Sequence, residues 1–205
     1  MTGFATANDA AMANLGFDRR PEDQYQTPEW ITTALLQHLR GYPIWFGESE
    51  VVWEPACGEG RMARVLARHF RLVVATELFD QGFGTTGIDF LATTDIGDVR
   101  GIITNPPYGD MAARFIRHAL ELTAPVCGIV AMLCRNEYDG AIGRRELFDR
   151  PPFAKKVVLH PRPRWIEGTT GGPRHYYAWY IWNHQHRGPA VIGYGTKGDE
   201  GEADR

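Results

Sequence analysis

Four strand-like runs in this chain end on polar side chains. VVWEP carries Glu54, RLVVATEL carries Glu77, GIDF carries Asp89 and GIITNPP carries Asn105. In an open parallel sheet, ligands bind beyond the carboxyl ends of the strands, near the point where strand order reverses. One acid at a strand end carries little weight. A series of such groups facing one rim makes a candidate site.

Each group has its own chemistry. In EPACGEG, Gly58 and Gly60 let the backbone approach a ligand closely. The spacing is not G-x-G-x-x-G, and an acid before the turn repels phosphate and attracts an amine. The same residues also suit a plain strand-to-helix turn. Glu77 lies about twenty residues further on, where an acid in a nucleotide fold accepts hydrogen bonds from ribose hydroxyls. It could equally be a capping or solvated acid. Asp89 and Phe90 could accept from an adenine amino group and stack on its ring, although Phe90 also suits a core position. Asn105-Pro106-Pro107-Tyr108 cannot continue a helix, and its prolines donate no backbone hydrogen bonds. It reads as a stiff rim where a strand ladder stops, either a functional rim or a polar turn.

Elements able to position these groups alternate along the chain. Thr27 is placed to cap a helix over TPEWITTALLQHL with Pro28 in its first turn. Strands follow at 51–55, 71–78, 87–90, 101–107 and 126–134, with helices at 61–70, 111–123 and a short one over GRRELFDR. This alternation predicts an α/β fold with a mostly parallel sheet and helices on both faces. KKVVLH (155–160) and HYYAWYIWN (175–183) have no helix between them and predict an antiparallel hairpin at one edge. That makes seven strands. The run YYAWYIW is expected to pack within the sheet.

The 205 residues suffice for a single domain, expected over 23–195, with a flexible arm at 1–22 and an acidic tail at 196–205. No apolar run approaches the roughly 20 residues that span a bilayer, and the N-terminus lacks the layout of a secretory signal. Three scattered cysteines suggest neither a disulfide framework nor a zinc site and predict a cytoplasmic setting. No metal is expected. Net charge is -3, but residues 135–187 hold ten Lys/Arg against five acids. Such polarity suits a polyanionic partner, and also an ordinary mixed surface.

In this order, YQTP, EPACGEG, ATEL, IDF and NPPY resemble the motif series of S-adenosylmethionine-dependent amino-methyltransferases, closely the DNA N6-adenine methyltransferases in the gamma arrangement. The resemblance covers roughly residues 24 to 183. It implies a Rossmann-like class I methyltransferase fold, S-adenosylmethionine as cofactor and DNA as partner. Residue by residue, it implies that Thr27 and Pro28 hold the methionine carboxylate. Glu54, Ala56, Cys57 and Gly58 would line the methionine and sulfonium region. Glu77 would bind the ribose, Asp89 the adenine amino group, and Phe90 would pack on that ring. Asn105, Pro106, Pro107 and Tyr108 would form the catalytic rim. Arg162, Arg164 and Trp165, in the loop PRPRWIEGTTGGPR, are expected beside the flipped base, with Arg174 on phosphate.

The chain departs from larger gamma-type enzymes. About twenty residues follow the last expected strand, too few for a separate target-recognition domain. Sequence reading is then expected from loops, the 135–150 segment or a dimer mate, or hardly at all. The rival readings are cytosine N4 in DNA, an RNA base amine, a protein glutamine amide, and a non-catalytic nucleic-acid binder on the same scaffold.

Overall fold

The computed structural model describes residues 26–40, 46–165 and 175–198. The expected arm at 1–22, most of the expected tail and Arg174 lie outside these residues. Helix α1 (Glu29–Leu39) leads into strand β1 (Val51–Glu54), helix α2 (Arg61–Leu66) and strand β2 (Leu72–Glu77). A two-residue strand β3 (Thr85–Thr86), β4 (Val99–Thr104), helix α3 (Asp110–Thr123) and β5 (Ile129–Arg135) follow. The chain continues through β6 (Phe153–His160), β7 (Tyr177–Asn183) and β8 (Val191–Thr196).

The sheet order is β3-β2-β1-β4-β5-β7-β6-β8. Strands β1 to β5 run parallel, while β7 is antiparallel to both β5 and β6. The order reverses between β1 and β4, so Glu54 and Asn105 end strands that flank the switch point. This is the expected α/β Rossmann-like sheet with an antiparallel pair. Apolar residues of α1 and α2 pack with Val52, Ile103 and Trp179 on one face. Those of α3 pack with Trp53, Ile102 and Trp182 on the other. Helices therefore cover both faces. The run 177–183 is buried throughout, as expected. Two of its indoles anchor neighbours: Trp179 Nε1 donates to Ile31 O at 2.8 Å and Trp182 Nε1 to Leu147 O at 2.7 Å. No helix among the described residues is long and apolar enough to cross a membrane.

Three expectations need correction. The sheet has eight strands rather than seven, and the β6–β7 pair is not its outer edge: β8 lies outside β6, parallel to it. Glycine is a poor strand former, so VIGYGT gives a weak signal. The glycines are there for close packing. A Cβ on Gly195 would lie 2.8 Å from the Ala34 Cβ of α1, and one on Gly193 would lie 2.8 Å from the His38 ring. Next, the third strand lies at 85–86 and not at 87–90. Gly87 has φ +76°, and the Asp89 carboxylate caps a 3-10 turn over Phe90–Ala92 by accepting from Leu91 N at 2.9 Å. Finally, Thr27 does not cap α1. Pro28 occupies the cap position, and Thr27 is buried and turned toward Asn105.

Candidate active site

The loop after β1 is held by the strand beside it. Gly58 N donates to Glu77 Oε2 at 2.9 Å, Leu78 N to Glu77 Oε1 at 2.9 Å, and Cys57 N to Thr76 O at 3.1 Å. Both Glu77 oxygens thus face backbone donors. Gly58 and Gly60 take φ of +53° and +81°, values that side chains disfavour.

Gly60 brings in a residue the sequence did not flag. The Phe83 ring folds over it so closely that a Cβ there would lie 2.3 Å away, and the Arg64 guanidinium covers Phe83 at 4.5 Å. Gly60→Ala therefore meets both a backbone conflict and an aromatic clash. It should cost about 1–3 kcal/mol, read in a thermal melt as a fall of about 3–10 °C. An unchanged melting temperature would refute this account of the loop.

Two buried acids, Glu54 and Glu77, lie beside the loop. Glu54 is 2% exposed and its Oε2 meets no hydrogen-bond partner among the described residues. Burial, followed by the neighbouring Glu77 charge, holds its carboxyl well above the usual range, while a backbone hydrogen bond from Ala63 acts the other way. The Cys57 thiol is pushed up to about 12 by burial and then by these two carboxylates. It is a neutral thiol at pH 7, unsuited to attack as a nucleophile. Ala56 is half-buried against the core cluster that contains Trp53 and Phe90.

The rim after β4 meets the segment that leads into α1. Asn105 Nδ2 donates to Thr27 Oγ1 at 3.4 Å, and Asn105 Oδ1 is buried with no partner among the described residues. Pro106 is buried and Pro107 half-buried. Tyr108 packs on the core beside Tyr177, whose hydroxyl donates to the Tyr108 oxygen at 3.4 Å. Burial and that hydroxyl raise the Tyr108 phenol far above its usual pKa.

The other expected residues divide. Trp165 meets Tyr177 edge-on, with ring centroids 4.8 Å apart, and so joins the aromatic series leading to Tyr108. Arg162 and Arg164 are exposed on the same segment. Phe90 is 2% exposed and enclosed by Trp53, Phe115 and His118. Its ring forms the floor of this end of the sheet, with no free face above. Asp89 is half-buried above it and tied by one oxygen to its turn.

A cavity of about 400 Å³ opens beside the rim, lined by Pro106, Tyr108, Asp110, Arg135, Tyr138 and Arg144. The Arg144 guanidinium lies 3.9 Å over the Tyr138 ring, and Tyr138 Oη is buried with no partner among the described residues. The sequence marks this segment as basic, with a short helix over GRRELFDR and a part in reading the target; the helix is a 3-10 turn over Ile142–Leu147. Its 3-10 turns bring Tyr138 and Arg144 to the cavity.

No family model and no curated protein matches this chain. Solved structures do. A Listeria monocytogenes protein described as a class I S-adenosylmethionine-dependent methyltransferase superposes with a TM-score of 0.62 at 14% identity, over 90% of this chain and 70% of that one. The methyltransferase subunit of a type I restriction-modification system from Streptococcus thermophilus gives 0.62 at 14%, over 91% and 51%. A Pyrococcus horikoshii protein described as an RNA methyltransferase gives 0.56 at 15%, over 86% and 97%. This chain therefore spans about half the length of the restriction-system subunit. At these identities the likeness is one of architecture: the chain has the fold of the class I S-adenosylmethionine-dependent methyltransferases.

Proposed function

We propose that this protein transfers a methyl group from S-adenosylmethionine to the exocyclic N6 of adenine in DNA. The observation that carries this reading is Asn105 Oδ1, a buried acceptor without a partner at the end of β4. Its amide nitrogen is turned to Thr27. A buried acceptor left unmet costs stability, and a bound amine would satisfy it.

The residues present fit the cofactor. Glu54, a buried carboxyl with an unmet oxygen, suits a cationic ligand, and the two left-handed glycines keep side chains off the loop. Glu54, Ala56, Cys57 and Gly58 would hold the methionine and sulfonium region, with Thr27 and Pro28 at the carboxylate. Glu77 would bind the ribose hydroxyls and Asp89 the adenine amino group, with Phe90 supporting that end from beneath. When bound, S-adenosylmethionine supplies an electrophilic methyl group on a positively charged sulfur.

An aromatic amine is a weak nucleophile because its lone pair is delocalised into the ring. Asn105 Oδ1 and the Pro106 carbonyl accept hydrogen bonds from its two hydrogens and draw the nitrogen toward tetrahedral geometry. The stiff Pro106-Pro107 pair holds these dipoles still as positive charge develops, which is the efficient form of electrostatic catalysis. Tyr108 offers a face for the base, and its raised pKa keeps the phenol neutral. The amine needs no strong base beforehand, since it becomes acidic once methylated. In duplex DNA the base must first leave the stack. The basic 135–187 region and the exposed Arg162 and Arg164 support a polyanion as partner. The fold shared with a restriction-modification methyltransferase subunit accords with DNA.

The test incubates the protein with tritiated S-adenosylmethionine and, separately, unmethylated DNA and RNA, then digests the products to nucleosides. Label in N6-methyldeoxyadenosine is expected. Label in RNA nucleosides alone would move the substrate to RNA. Failure to bind the cofactor in a calorimeter would remove the methyltransferase reading altogether.

A further inference from the structure

Strand β8 extends the carboxyl-end rim outward and carries an exposed aromatic surface that the proposed reaction does not use. Tyr194 of β8 is 63% exposed and Ile192 is 66% exposed. Tyr176, one residue before β7, is 41% exposed. His160, at the end of β6, links them: its ring lies 5.6 Å from that of Tyr194 and 6.4 Å from that of Tyr176. The Arg162 guanidinium covers the Tyr176 ring at 4.2 Å. Guanidinium, phenol, imidazole and phenol thus form one connected patch.

Alternation along the strands explains its exposure. Gly193 and Gly195 face α1, so Ile192 and Tyr194 face the other way. That opposite face is covered by α3 near β4 and β5. Close to β6 and β8, Ile192 and Tyr194 stay exposed among the described residues.

The patch and the candidate site share one end of the sheet: Tyr177, which donates to Tyr108, pairs with Arg135 at the end of β5, and Tyr176 precedes it on the opposite face of β7. Four strand spacings separate β4 from β8, about 19 Å at the usual interval. That distance corresponds to a few nucleotides of an extended strand.

We propose that Tyr176, Arg162, His160 and Tyr194 form a stacking platform for unpaired DNA nucleotides flanking the target adenine. This rests on the DNA methyltransferase reading above and adds a preference for single-stranded or locally opened substrate. Tyrosine faces accept any base, and a guanidinium adds cation–π attraction and pairs with phosphate. A patch of exposed rings with a cationic group suits bases and backbone together. A purely apolar partner would not complement the positive charge of Arg162.

The test is fluorescence anisotropy with a labelled mixed-sequence deoxyoligonucleotide of about 20 nucleotides, alongside calorimetry with S-adenosylmethionine. Tyr194→Ala and Tyr176→Ala should each weaken binding about 5- to 150-fold, the range for losing one stacked base. Tyr194→Phe and Tyr176→Phe should stay within about threefold of wild type, since stacking needs the ring and not the hydroxyl. Cofactor affinity should not change. Alanine variants that bind the strand like wild type would overturn the platform alone. Wild-type protein that binds cofactor but no DNA strand would overturn the platform and the DNA reading together, leaving methyl transfer standing. Tighter, equally tyrosine-dependent binding of an RNA strand would overturn the assignment to DNA. A dimer in light scattering that Tyr194→Ala dissociates, with DNA affinity unchanged, would give the face to a second copy of the chain and overturn the platform.

Discussion

Replacing Asn105 by alanine should lower the rate of methyl transfer about 10²- to 10³-fold, the usual loss when one fixed dipole is removed from a reacting centre. Cofactor affinity should stay within about threefold. The side chain has two separate jobs. Its nitrogen donates to Thr27 Oγ1 at 3.4 Å, which orients the amide, and its oxygen is the buried acceptor. Alanine removes both. Asn105→Asp keeps an acceptor but puts a carboxylate where the amide donated to Thr27, so it should retain part of the rate. Thr27→Val should leave the acceptor in place but unanchored, with a smaller loss than Asn105→Ala. Single-turnover kinetics with saturating cofactor would measure the chemical step. An alanine variant within about threefold of wild type would take the reaction away from this rim.

The second large effect concerns Glu54 and pH. Its carboxyl is held above the usual range by burial and by Glu77. The folded pKa is thus raised over the unfolded value of about 4.3. The stability this group contributes is fully present below the unfolded pKa. It is lost as pH rises through the folded pKa, because the folded chain must then bury a second carboxylate beside Glu77. Without ligand, Glu54→Gln should therefore gain thermal stability over wild type as pH rises through that window, and show no such gain at low pH.

A cationic ligand reverses the balance. S-adenosylmethionine should favour ionised Glu54, so its binding should release a proton and tighten with rising pH in the same window. Glu54→Gln should abolish that dependence and weaken binding about 10- to 100-fold at pH 7, the scale of one lost charge-assisted hydrogen bond. Calorimetry in buffers of different ionisation enthalpy would read the proton directly. Affinity independent of pH in the wild type would separate Glu54 from the cofactor.

Much of this site could be read along the chain because its signals are local. Glu54, Glu77 and Asn105 each close a short apolar run, and glycine or proline marks where the run stops. Parallel strands must all point their carboxyl ends one way, so the order of these residues in sequence already implied one rim. Asp89 stood out for the same reason, although the strand assigned to it proved to be a capped turn.

What the chain could not show depends on contacts between distant segments. Thr27 and Asn105 stand 78 residues apart, so their hydrogen bond exists only once the segment leading into α1 meets the end of β4. Phe90 could face a ligand or the core on local grounds. The rings of Trp53 and Phe115, brought in from two other elements, enclose it. Strand β8 was hidden because Gly193 and Gly195 suppress strand propensity, and their purpose appears only when α1 lies against them. The amino-acid sequence by itself determined the α/β alternation, the shared rim and the polar groups on it, since hydrophobic periodicity and backbone breakers act within a few residues. The tertiary structure alone decided which of those groups are buried, which acceptor is left unmet and which rings reach the outer rim. Burial and pairing are settled by elements that meet only after the chain has folded.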